Sequence, residues 1–122
     1  MSITDNVGQR ICHVQEEAAR LIQEGRPAEA ATKLLAMLTE CQTADLWNDL
    51  ATAAYISGDL VASERAYRQA LILDTSNRQA AVNLSFVLLK QSRFAESLPI
   101  ITPHLVSLTS DESAAMRGLV TR

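Results

Sequence analysis

The residues able to do chemistry are few and scattered. The two histidines, His13 and His104, share no i, i+4 spacing. Cys12 and His13 are adjacent, and neighbours on a helix point to different sides. The metal-binding spacings CxxC and HExxH are absent. No serine sits in a GxSxG elbow or a glycine-rich phosphate loop. Glu16, Glu17 and Glu24 read as a solvated helix edge rather than an acid–base pair. With no nucleophile, base and orienting group in a workable pattern, the sequence predicts no catalytic residue, cofactor or metal ligand, and no enzyme within these residues. Cys12 and Cys41 are too few for a disulfide framework and are expected to be buried small hydrophobes.

That leaves a surface, and composition limits its kind. The 122 residues are 48% hydrophobic but only 4% aromatic, so the core must be built from Ala, Leu, Ile and Val. Four glycines and three prolines leave long stretches free for helix, and no alternating Val/Ile/Thr run is bounded by turns. A net charge of −3 with no basic stripe argues against nucleic acid. The opening MSITDN has no basic segment followed by an apolar run, and no apolar run reaches about 18 residues. The expectation is a single helical domain over 1–122, cytoplasmic, with no membrane insertion.

The organising stretch runs from Ala44 to Asn77. Trp47, Leu50, Ala51 and Ala54 fall at i, i+3, i+4, i+7 and form one apolar helix face. Ser57-Gly58-Asp59 makes a turn, with glycine for the tight reversal and Asp59 to cap the next helix. Ser63, Ala66, Tyr67, Ala70 and Leu71 give that second helix its face. This pattern resembles a tetratricopeptide repeat (TPR), although Ala51 replaces the usual glycine, Tyr55 falls one place late, Ser63 stands for alanine and Thr75 for the closing proline.

The pattern recurs. Gly25, Gly58 and Ser92 mark turns spaced by 33 and 34 residues. Ala81, Leu84, Ser85 and Leu88 repeat the register of Trp47, Leu50, Ala51 and Ala54. Phe94, Ser97, Ile101 and His104 repeat that of Leu60, Ser63, Tyr67 and Ala70. In the first unit Val14, Glu17-Ala18 and Leu21 form the inner face, Pro27 opens the second helix, and Ala30, Leu34, Leu35 and Leu38 supply its stripe. Ser2 or Thr4 is expected to cap the first helix, with Asp5 at its positive end. Pro99 and Pro103 predict a bend, or a fresh helical segment opened by Thr102-Pro103. Thr109 to Glu112 matches a capping box, and Ala114, Ala115, Leu119 and Val120 come after it as a capping helix or the opening of a further unit.

The resemblance implies an all-α, right-handed α-solenoid of three helix–turn–helix units, at about 11–43, 44–77 and 78–110, with a terminal helix over 111–122. It also implies a scaffold or adaptor whose concave groove binds a peptide or a partner segment. Carried over by register, the groove residues are Gln15, Ala19 and Ile22; Asp45, Asn48, Asp49, Thr52, Tyr55 and Ile56; and Gln79, Val82, Asn83, Phe86, Leu89 and Lys90. No cation stands at the positions of the family's carboxylate clamp, which argues against capture of an acidic C-terminus. The second apolar stripe of the fifth helix, Val82, Phe86 and Leu89, must face a neighbour, a partner or another copy, so self-association into an oligomer is a further expectation. The groove's composition predicts a ligand with apolar anchors at one end and a polar or basic stretch at the other. The alternative roles are the non-catalytic arm of a larger enzyme, such as a glycosyltransferase, or a secretion-type chaperone.

Overall fold

Three residues of left-handed backbone divide the described part of the chain. A computed structural model describes residues 6–120. Its helices are α1 (Val7–Gln23), α2 (Pro27–Leu38), α3 (Ala44–Ile56), α4 (Leu60–Leu73), α5 (Arg78–Lys90), α6 (Phe94–Ile101) and α7 (Ser110–Val120), with a 3-10 helix over Thr102–Ser107. No strand occurs among the described residues, so the chain is all-α. Positive φ occurs among them at Gly25 (78°), Gly58 (93°) and Ser92 (59°). At each, the next residue's N–H donates to a carbonyl five residues back: Arg26 to Leu21, Asp59 to Ala54 and Arg93 to Leu88, at 2.8–2.9 Å. This is the Schellman closure, which requires a left-handed residue at that place. A Cβ built on Gly25 or Gly58 would meet nothing within 4 Å, so backbone conformation alone selects glycine there.

The helix starts are equally local. Asn6, Thr43, Asp59 and Asn77 each accept a backbone N–H three residues on, capping α1, α3, α4 and α5. The cap of α1 is therefore Asn6; Ser2, Thr4 and Asp5 lie outside the described residues. Thr109 and Glu112 close the expected capping box, with reciprocal bonds of 2.9 and 3.1 Å. Helices α2 and α6 have no side-chain cap. There Arg26 and Arg93 instead clasp Glu29 and Glu96 in two-pronged ion pairs.

Each helix packs on the next from α1 to α6, and α1, α3, α5 and α7 also touch in succession. This is a repeat-like helical arrangement. The core is Ala18, Leu21, Leu34, Leu46, Leu50, Ala51, Tyr67, Leu84 and Leu88, with alanines at 30, 66, 70 and 80. Those alanines let helix axes approach, and Ser63 joins α4 to α3 by donating to the Ala51 carbonyl at 2.9 Å.

Three sequence expectations change. Cys12 is exposed on α1 rather than buried, while Cys41 is half-buried against the core. Leu35 is 50% exposed, and Met37 is buried instead, because the inward stripe of α2 runs through Ala30, Leu34, Met37 and Leu38. A fresh segment does open at Thr102-Pro103, as a 3-10 helix, but without a threonine side-chain cap: the Thr102 hydroxyl donates back to the Leu98 carbonyl. Pro103 has no N–H to continue that ladder, and the chain tightens into the 3-10 helix. No described helix is long and apolar enough to cross a membrane.

Candidate functional site

The face shared by α1, α3 and α5 carries most of the sequence-predicted binding residues. Its first feature is a cleft of about 250 Å³ lined by Gln15, Ala18, Ala19, Ile22, Asp49, Thr52 and Gln79. Six of these seven were expected from register. Three helices contribute because α1, α3 and α5 touch in succession, which places residues one unit apart side by side. The Gln15 side-chain amide donates to Asp49 at 2.9 Å.

The electrostatics of this cleft are negative. Partial burial raises the Asp49 carboxyl above its ordinary value; the Gln15 hydrogen bond opposes this, and Asp45, one turn away, reinforces it. Asp45 itself is exposed in the first turn of α3, where the helix dipole suits a carboxylate.

A second, smaller cavity lies one step along the face, bounded by Tyr55, Tyr67, Asn83, Phe86 and Val87. The Thr52 and Tyr67 hydroxyls lie 2.9 Å apart. Burial raises the Tyr67 phenol above its ordinary value, against the opposing Thr52 bond. The Lys90 ammonium sits 5.8 Å from the Tyr55 ring centroid, within cation–π range.

Three predicted residues have other work. Asn48 is 3% exposed and donates to the Asn77 side chain at 3.2 Å, so it joins α3 to the cap of α5. Val82 and Leu89 are 2% and 7% exposed, and α7 packs on the helix that carries them. The second stripe of α5 is thus largely inside the fold, with only Phe86 half-open beside the small cavity.

Sequence reasoning missed the polar ties between units. Arg93 donates to Glu64 at 2.6 and 3.1 Å. Arg78 reaches the Ser107 hydroxyl and carbonyl at 2.9 and 2.7 Å and Glu112 at 2.7 Å. These partners are 29 or 34 residues apart, as are Gln15–Asp49 and Asn48–Asn77. A scan for complementary polar residues at those offsets would have found them. No family model matches this chain, and no curated protein matches it either.

Proposed function

We infer that the chain is a protein-interaction module: a right-handed α-solenoid of TPR type whose α1–α3–α5 face holds an extended peptide or a segment of a partner protein. The carrying observation is the half-buried Asp49, set in a cleft to which α1, α3 and α5 all contribute. Beside it lies the aromatic cavity of Tyr55 and Phe86. A negative polar cleft next to an aromatic hollow suits a ligand that pairs a basic or hydrogen-bonding stretch with an apolar anchor. The module acts by binding and carries no reaction of its own.

The reading is tested by selecting a random peptide library on the purified chain and on folded Asp49→Ala and Phe86→Ala variants. The expected result is enrichment of peptides with a basic residue near an apolar anchor, with affinity falling about tenfold or more in Phe86→Ala, as for a central aromatic anchor. Identical selection by all three proteins would place binding elsewhere.

A further inference from the structure

A cavity larger than either of these lies off that face. It lies among α2, α3 and α4, has a volume of about 470 Å³, and is walled by Leu35, Trp47, Leu50, Ala54 and Ala66. Its size is that of a small-molecule site, and alanines on α2 and α4 leave the space that larger side chains would fill. It also accounts for the exposure of Leu35 and for the incomplete burial of Trp47 in an otherwise well-packed unit.

One cation lines this cavity, Arg65. Arg20, Arg26, Arg68, Arg78 and Arg93 are all held by carboxylates of the chain. The Arg65 side chain has no hydrogen bond or ion pair among the described residues. The cavity's other charge, Asp59, is engaged by the Ala62 N–H as the cap of α4. An apolar hollow with an unmatched guanidinium is complementary to an apolar body that ends in a single anion. Guanidinium binds carboxylate through two parallel hydrogen bonds, which a hydroxyl or an amine cannot accept in the same way.

We propose that the α2–α3–α4 cavity is a binding site for a small amphiphilic carboxylate, with its apolar chain against Trp47 and Leu35 and its carboxylate on Arg65. This site is separate from the peptide face, and the two can be occupied independently.

Trp47 is the chain's only tryptophan and forms a wall of the cavity, so its emission reports occupancy directly. The probes are sodium octanoate, octan-1-ol and octylamine, titrated into the wild type, Arg65→Gln and Ala62→Leu. Arg65 is exposed, so its substitution leaves packing intact; Ala62→Leu fills the cavity without touching the charge. The expected result is a saturable emission change with octanoate. Octanol and octylamine should bind about tenfold or more weakly, the ordinary loss for a charge-assisted hydrogen bond. Arg65→Gln should remove the preference for octanoate, and Ala62→Leu should remove the response. The proposal is overturned by no saturable change, by equal binding of octanol and octanoate, or by unchanged octanoate affinity in Arg65→Gln. Emission that shifts with protein concentration alone would also overturn it, since a second copy would then cover the cavity.

Discussion

The central helix pair, α3 and α4, and the third pair, α5 and α6, share one register but are held together differently. In the central pair Gly58 takes the left-handed turn, α4 runs for 14 residues, and Tyr67 and Ala70 are buried. In the third pair Ser92 takes that turn, α6 ends after 8 residues, and Ile101 is buried where Tyr67 was. Ser63 bonds across to α3, whereas Ser97 turns back on the Phe94 carbonyl of its own helix and the Ser85 hydroxyl is buried without a partner among the described residues. Past the prolines the apolar residues miss the core: Leu105 is half-exposed and Val106 is 99% exposed. Helix α7 then packs on α5 with none of its described residues buried, and it is tied there by Arg78 on Ser107 and Glu112. Register alone does not make units equal. A proline inside α6 and a second just past its end move the weight of attachment from apolar packing to polar ties.

The contrast between the pairs is most open to attack at the buried aromatic. Tyr67→Ala should destabilise the chain by about 3–5 kcal/mol in urea unfolding, as for other large buried aromatics. Ile101→Ala should cost about 2 kcal/mol, the low end for a buried aliphatic. Equal losses would mean the two pairs are packed alike. Replacing Pro99 and Pro103 together by alanine should restore backbone donors and lengthen α6. The expected gain is up to about 3 kcal/mol with more helical circular dichroism; a loss of helicity would show that the 3-10 segment is preferred for other reasons.

The turns give a smaller effect of opposite sign. Ser92→Gly should stabilise by about 1 kcal/mol and Gly58→Ala should destabilise by about 1–2 kcal/mol, because only the backbone penalty changes. The smallest effect is local and depends on pH. The Thr109 backbone N–H, and then Arg78, hold Glu112 below its ordinary value of about 4.5. A carboxylate depressed in the folded state stabilises above its unfolded value, and that stabilisation disappears as the pH falls through the folded value. Acidification below about pH 4.5 should therefore loosen α7 as Glu112 protonates, alongside the Arg93 ties to Glu64 and Glu96, which are depressed in the same direction, with little change at Trp47, as read by site-resolved NMR line widths.

Much of this was legible in the sequence, where the causes are local. The turns at Gly25, Gly58 and Ser92, the Asp59 cap, the Thr109–Glu112 box and the trouble at Pro99 and Pro103 all depend on residues within one turn of helix. Six residues of the polar cleft also stand at positions that the family resemblance carried over, and the contacts of α1, α3 and α5 bring them side by side. What escaped depends on neighbours a whole unit away. Leu35 continues the α2 stripe in sequence, yet it opens onto the cavity because α4 brings only the small Ala62 and Ala66 and the long, exposed Arg65 to that wall. For Val82 and Leu89 the choice between a neighbour, a partner and another copy stayed open, because the periodicity of α5 does not say that α7 packs on that helix. Cys12 carries no periodic signal strong enough to place it, and it faces solvent.

Native-state hydrogen exchange reads the stability of each helix in one experiment, and so bears straight on the contrast between the central pair and the proline-bent end. Exchange should be slowest in α3 and α4, and about tenfold or more faster in α6, the 3-10 segment and α7. Arg78→Ala should accelerate α7 further and leave α3 and α4 unchanged. Uniform protection from α3 to α7, or an Arg78→Ala effect spread evenly over the chain, would contradict the division into a packed centre and a polar-tied end.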